Sequence, residues 1–418
     1  MPSTDEYREK GYEDYSCPMA ASAPQSMRDR NRLLIVDELR RRRAATRGEL
    51  AQATGLSRAT IAALVGDLGA RGLVVEHLNG LGSRARGPRG RPAVPLRLAT
   101  PAGAAVGVDF GHDRLRVAVA NLSSTVLAER FITLDVDHEP DVALTAAASA
   151  IDDLLDETGL SRSQVIGVGV GVPAPVDGRT GIVGSSSIVP AWAGLDIRRE
   201  AARRFGVDVQ VDNDANLEAL AEAAVGEGQA HADLVYVKLS AGIGAGLVLA
   251  GELCRGSAGF AGEIGHIQVR PDGPVCRCGN RGCLETVAST GALLALLRPI
   301  HGDGLTLAAL LELSRDGDDA AVRVIHDAGR AVGRVLADVC NTINPGIVVV
   351  GGDLGLAGDP LVFGIREAID RYALPAAANA VTVTHGALGE RAALVGALTL
   401  AISYTERLPS ASLPALQA

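Results

Sequence analysis

The chain has 418 residues, 47% of them hydrophobic, with 50 glycines and only 3% aromatics. That leaves room for two or three domains with sizeable cores, in the composition of an α/β protein, and it excludes a disordered chain. The net charge of −9 is segregated: residues 27–100 carry fifteen arginines against six acidic residues (+9), residues 101–418 carry 23 basic against 38 acidic (−15), and residues 1–26 supply −3. A basic head on an acidic body points to a head that meets a polyanion. The basic charge is almost all arginine; the lysines are Lys10 and Lys238.

Residues 1–26 read as a disordered tail. Their opening, MPSTDEYREKGYEDYS, is polar and acidic with no apolar h-region, so no signal peptide is expected and the location reads as cytoplasmic. Residues 27–98 read as a winged helix-turn-helix DNA-binding domain. RDRNRLLIVDELRRRR (28–43) predicts an amphipathic helix with Leu33, Leu34, Val36 and Leu39 as its core stripe. RGELAQATGLSRATIAALVGDL (47–68) fits two helices crossing over a tight turn. Ala51 is small where the helices approach, and Gly55 supplies the positive φ of the turn. Leu50, Leu56, Ile61 and Leu64 fill the shared core, and Ser57 N-caps the second helix.

That second helix would enter a major groove N-terminus first, bringing Ser57, Arg58, Ala59 and Thr60 to the base edges. Arg58 suits guanine, and the Thr60 methyl suits thymine. LVVEHL and PAVPLRL predict two wing strands, and the loop between them offers Arg84, Arg86, Arg89 and Arg91 to phosphates or a minor groove. The bland alternative is a three-helix packing element; spacing, charge and wing together favour DNA.

Residues 101–408 read as a second domain, ahead of a 409–418 tail. VGVDFGHDRLRVAVANL (106–122) reads strand, glycine turn, strand, and the pattern recurs at LVYVKLSAGIGAGLVLAGEL (234–253). This predicts a duplicated αβ lobe with a cleft between the copies: 101–214 plus 388–408 as one lobe, 215–387 as the other. Lys238 and the glycines make 234–250 a strand pair and not a membrane span. Glycine turns let backbone N–H groups reach phosphate oxygens, which makes Gly111, Gly242 and Gly244 candidate nucleotide contacts, with Asp109 placed to hold a metal–nucleotide complex. Tight turns also need glycine for their own sake.

Residues 166–197 predict a buried strand and a Gly/Pro/Ser-rich loop of the kind that lines ligand clefts. VDVQVDNDANLEALAEAAVG (207–226) predicts a short strand, a polar corner and a helix. Asp214 suits a general base for a sugar hydroxyl and Asn213 a sugar hydrogen bond; equally, Asp212, Asn213 or Asp214 caps the helix over 215–225.

The strongest motif is EIGHIQVRPDGPVCRCGNRGCLE (263–285). His266, Cys276, Cys278 and Cys283 fit a closed tetrahedral zinc site, structural because no coordination position stays open. In a cytosolic chain three cysteines with a histidine favour zinc over a redox pair. Glu263 and Glu285 bracket the set and suit sugar hydroxyls, although each alone reads as a surface glutamate. Cys17, Cys254 and Cys340 read as a tail thiol and two core residues.

GVDFG (107–111), GVPAPVDGRTGIV (171–183), DNDAN (212–216), EIGH (263–266), CRCGNRGCLE (276–285) and NPGIVVVGGDLG (344–355) together resemble the ROK family of repressors, open reading frames and kinases. The resemblance runs from Gly107 to about Ala401, and the head matches the repressor branch. It implies a two-lobed actin/hexokinase-like (ribonuclease H-like) ATPase fold with sugar in the cleft. By that resemblance Asn213, Asp214, Glu263, His266 and Glu285 contact the sugar, and Asp214 is the catalytic base of a kinase. His266, Cys276, Cys278 and Cys283 hold zinc, and Gly351 and Gly352 lie in an adenosine-binding segment.

The phosphate loops depart from the kinase pattern. His112-Asp113 stands where kinase members carry Gly-Thr, and Ser240-Ala241-Gly242 where they carry Gly-Thr-Gly. Bulk, the lost hydroxyl and the Asp113 charge should weaken ATP-phosphate binding, and ATP with Mg²⁺ is a cofactor only of a kinase. The expectation is therefore a regulator, acting as a homodimer or homotetramer on operator DNA, answering to a sugar or sugar-phosphate effector, with no membrane contact. The alternative is an ATP-dependent sugar kinase with an appended DNA-binding head.

Overall fold

The computed structural model describes residues 27–42, 44–70, 74–76, 94–98, 103–122, 124–184 and 189–405. The chain forms two compact units, Met1–Ala99 and Thr100–Ala418.

The first unit holds three helices, α1 (Met27–Arg42), α2 (Arg47–Thr54) and α3 (Arg58–Ala70), and two strands, β1 (Val74–Glu76) and β2 (Leu96–Leu98). Thr46 starts α2 through a capping box with Glu49, which satisfies N–H groups that the first turn leaves unpaired. Gly55 ends α2 at φ 69°, the left-handed conformation that the turn requires. Ser57 Oγ accepts from the Thr60 N–H at 3.1 Å and so caps α3. Leu50, Ile61 and Leu64 are buried as expected, joined by Val65 and Leu68, while Leu56 is half-buried. In α1 Leu39 is buried as expected and Val36 is half-buried, but Leu34 is corrected: it is 43% exposed, and its neighbour Ile35 is buried instead. The Leu33 side chain lies outside the description. β1 and β2 pair antiparallel, with Val74 opposite Leu98 and Glu76 opposite Leu96. Arg84, Arg86, Arg89 and Arg91 lie outside the described residues, as does Cys17.

The second unit opens with the meander β3 (Ala104–Phe110), β4 (Arg114–Asn121) and β5 (Val126–Thr133). Helix α4 (Pro140–Thr158), β6 (Val165–Val172), α5 (Ile197–Phe205), β7 (Val209–Asn213) and α6 (Asp214–Val225) follow. A second meander, β8 (Leu234–Leu239), β9 (Ile243–Leu249) and β10 (Glu252–Leu253), precedes α7 (Glu285–Ala288), α8 (Thr290–His301), α9 (Leu307–Arg315) and α10 (Asp319–Ile343). The chain continues through β11 (Ile347–Gly351), α11 (Asp359–Tyr372), α12 (Pro375–Ala380), β12 (Thr382–His385) and α13 (Ala392–Thr405).

The strands make two sheets, ordered β5-β4-β3-β6-β7 and β10-β9-β8-β11-β12. Both have the same plan: an antiparallel meander whose first strand pairs in parallel with a later strand, which pairs in parallel with the last. This is the duplicated, two-lobed actin/hexokinase-like architecture. β3, β6, β8 and β11 are buried nearly throughout, as parallel strands covered on both faces must be.

Helices α6 and α13 pack against each other and against the sheets, and glycines permit the closeness. A Cβ on Gly169 in β6 would stand 1.9 Å from the Ala397 carbonyl oxygen of α13, and one on Gly396 would stand 2.0 Å from the Leu217 carbonyl oxygen of α6. This packing fixes the start of α6, and with it the polar corner at 212–214. Among the described residues no helix is long and apolar enough to cross a membrane.

Candidate functional site

A cleft of about 1060 Å³, including its open mouth, runs through the second unit. β3 and β7 reach it from the first sheet, β8 and β9 from the second. Asn213, Asp214, Glu263, His266 and Glu285 all line it, as do Asp109, Gly111, Gly242, Gly244 and Gly352. Gly351 does not line it; a Cβ there would stand 1.7 Å from the Tyr236 hydroxyl.

The corner after β7 does two jobs. Asn213 is the N-cap of α6, its Oδ1 accepting from the Ala215 N–H at 2.9 Å, so its amide N–H groups remain for a ligand. Asp214 Oδ1 also accepts from the Ala215 N–H at 2.7 Å. Capping and cleft exposure therefore coexist on these residues. Beneath them, buried Asp212 accepts from Asn216 Nδ2 at 2.8 Å and from Arg255 Nε at 2.6 Å, which ties the two lobes together.

The other oxygen of Asp214 accepts from Lys238 Nζ at 2.7 Å, and Glu218 Oε1 accepts from the same ammonium at 3.0 Å. Asp109, Asp214 and Glu218 are all at least nine-tenths buried. Burial pushes the Asp109 carboxyl up from its usual range and raises Glu218 to about 7. Burial alone would pull Lys238 down, but the carboxylates of Asp214 and Glu218 outweigh it and push its pKa up, so the ammonium stays charged. Lys238 and Glu218 were missed in the sequence. The available signal was Glu218 standing four residues after Asp214, on the same face of one helix.

The wall carrying EIGH and the cysteine loop supplies the remaining groups. Cys276 Sγ stands 3.6 Å from His266 Nδ1, Cys278 Sγ 3.7 Å from Cys283 Sγ, and all four donor atoms lie within 4.8 Å of one another. Ligands at about 2.0–2.3 Å from a tetrahedral zinc stand about 3.3–3.8 Å apart, so the set fits that ion. His266 Nε2 faces the other way, 3.8 Å from Glu263 Oε2, which leaves one ring nitrogen for the metal and one for the cleft. Glu263 is raised to about 7, first by burial and then by the neighbouring Asp214 and Glu285 charges. Arg277, between two of the cysteines, forks onto Glu285 through Nε at 2.8 Å and a terminal nitrogen at 2.9 Å, a contact the sequence reading did not anticipate. Cys340 is buried, and Cys254 is only half-buried.

The phosphate end differs from expectation. Asp113 does not face the cleft: its side chain is 83% exposed and lies 3.6 Å from Arg114. Gly111 N–H donates to the Arg114 carbonyl and closes the hairpin, so His112 and Asp113 form its tip and project differently. His112 lines the cleft and pairs with Asp137 at 2.9 Å. Arg114 reaches across to Asp353 at 3.9 Å, and Ser240 Oγ accepts from the Asp353 N–H at 3.0 Å. Bulk and committed polar groups, not a negative charge at Asp113, fill this end.

In the first unit Ser57, Arg58 and Ala59 are exposed at the start of α3 and Thr60 is half-buried. The Thr60 hydroxyl lies 2.8 Å from Ser57 Oγ.

The family model described as "ROK family" matches residues 105–404. A xylose repressor from Caldicellulosiruptor bescii is 27% identical over 89% of this chain and 95% of its own. A glucokinase from Thermotoga maritima is 32% identical over 71% of this chain and 96% of its own. The solved structure of a ROK family transcriptional regulator, a homolog of the E. coli MLC protein, covers 91% of this chain and 96% of its own at 28% identity and a TM-score of 0.74.

Proposed function

Because the chain belongs to the ROK family, we propose that it is a DNA-binding transcriptional regulator, a repressor of carbohydrate uptake or metabolism genes with a sugar effector in the cleft. The observation that carries this is the reach of the two similarities. The xylose repressor matches 89% of the chain, enough to include both units, whereas the glucokinase matches 71%, about the length of the second unit. What distinguishes this chain from the kinases is the basic head.

In this reading the head is a winged helix-turn-helix. Helix α3 lies in the major groove, with Ser57, Arg58, Ala59 and Thr60 at base edges and the wing arginines on phosphates or in the minor groove. A homodimer places two such helices in successive grooves of a palindromic operator. Asn213, Asp214, Glu263, Glu285 and His266 Nε2 hold the sugar hydroxyls. Zinc on His266, Cys276, Cys278 and Cys283 holds the wall that carries three of these groups; when bound it supplies a structural clamp, with no open position for chemistry. The sugar regulates by binding two conformations of the unit unequally, since a ligand with equal affinity for both shifts nothing.

The test is binding of the purified full chain to its own upstream DNA, with and without a panel of sugars beginning with xylose and glucose. A sugar that releases or strengthens a specific complex is the expected result. Specific DNA binding indifferent to every sugar sinks the effector reading. ATP-dependent phosphorylation of a sugar, abolished in Asp214→Asn, would establish the kinase alternative.

A further inference from the structure

Lys238 is one of two lysines in a chain with 40 basic residues, and it stands at the floor of the cleft. Its ammonium lies between two carboxylates on one face of α6, Asp214 at 2.7 Å and Glu218 at 3.0 Å, with buried Asp109 as the third acid of the group. Glu218 Oε2 is buried and takes nothing from the ammonium; its other neighbour is the buried Tyr236 hydroxyl. A compact ammonium fits between side chains four residues apart on one helix turn; a planar guanidinium does not fit as a point charge. A hard divalent cation seeks the same environment, several carboxylate oxygens converging from different elements.

From this geometry we infer that the Lys238 ammonium is the resident cation of the acidic floor and takes the place that a divalent metal would fill, so that the cleft holds its ligand without one. The inference rests on the reading of the cleft as a sugar site, and it deepens the contrast with a kinase. Phosphoryl transfer requires a metal to bridge the nucleotide phosphates and a carboxylate free to accept the hydroxyl proton. Here the ammonium occupies the acidic cluster and holds one oxygen of Asp214, while the backbone of α6 holds the other. Two of the three ammonium donors are used by Asp214 and Glu218, which leaves the third for a ligand hydroxyl.

The experiment titrates Mn²⁺ into the zinc-loaded full chain and follows free Mn²⁺ by electron paramagnetic resonance, comparing wild type, Asp214→Asn, Lys238→Met, Lys238→Met/Asp214→Asn and Lys238→Met/Glu218→Gln. The expected result is that wild type and Asp214→Asn bind Mn²⁺ equally weakly. Lys238→Met should bind it at least about tenfold tighter, a gain lost when Asp214→Asn is added. Lys238→Met/Glu218→Gln relieves carboxylate repulsion and gives the same answer if the single variant does not fold. Folded Lys238→Met protein, or the folded Lys238→Met/Glu218→Gln protein, that binds Mn²⁺ no better than wild type overturns the inference. So does wild-type Mn²⁺ binding that Asp214→Asn abolishes, a result that decides the matter even if neither lysine variant folds. Neither readout involves DNA or sugar, so failure of the regulator reading and failure of this one are separable.

Discussion

Glu218→Gln is the perturbation whose sign the cleft determines most sharply. Glu218 is buried, and although Lys238 attracts its charge, burial dominates and raises it from the ordinary 4.5 to about 7. The fold therefore favours the protonated form. The corresponding stability is fully present below pH 4.5 and is lost as the pH rises through 7, because the unfolded chain has by then released a proton that the folded chain still binds. At about 1.4 kcal/mol per pH unit, the wild type should lose on the order of 2–3 kcal/mol between pH 5 and pH 8 through this group. A glutamine keeps the shape and cannot ionise, so the variant should lack that part of the pH dependence. Near pH 8 it should match or exceed wild-type stability, despite losing an ion pair that looks stabilising.

The assay is urea unfolding at pH 5 and pH 8, followed by tryptophan fluorescence. The chain has a single tryptophan, Trp192, buried against Phe110 with its indole N–H on the Val136 carbonyl at 2.7 Å, so the signal reports on the second unit. If variant and wild type lose stability equally between the two pH values, burial does not dominate at Glu218 and the electrostatic account of the cleft floor is wrong.

Arg58→Ala should leave the fold unchanged, since the residue is exposed, and should weaken operator binding by about 1–3 kcal/mol while relaxing sequence preference at one position in electrophoretic mobility shifts. Purified protein should contain about one zinc per chain by atomic emission, and Cys283→Ser or chelation should lower the unfolding temperature; a metal-free chain of full stability would refute the zinc site. Gly169→Ala places a Cβ 1.9 Å from the Ala397 carbonyl oxygen and should destabilise the second unit by about 1–3 kcal/mol or more by calorimetry, with no effect on zinc content.

The parts legible in sequence were those fixed by short-range spacing. The cysteine loop brings three thiols and a histidine together because glycines let about twenty residues wrap a point. Gly279 and Gly282 adopt φ of 92° and 63°, the left-handed conformation that lets the loop turn back on itself. The repeated strand–glycine–strand pattern likewise announced two equivalent sheets. The errors arose where a side chain's direction depends on phase. Leu34 and Ile35 are adjacent and equally apolar, so only the packing of α2 and α3 decides which faces inward. At the β3–β4 turn, neighbouring tip residues project to different sides, so the charge of Asp113 points to solvent although its neighbour His112 lines the cleft.

Lys238 illustrates the deeper limit. In sequence it interrupts an apolar strand, and its partners lie 20 and 24 residues away on a different element. Their meeting is set by how α6 lies across β8 and β9, which depends on Gly246 admitting the backbone of Ala215 and on Gly396 admitting that of Leu217. A motif search finds Asp214 because its local corner is distinctive, and it assigns that residue the chemistry of a free base. The tertiary contact adds partners that the motif does not show. Its two oxygens are held by a helix N-terminus and by an ammonium, which fixes the direction in which it faces the cleft. The same residue thus supports recognition or catalysis according to a neighbour that only the fold supplies.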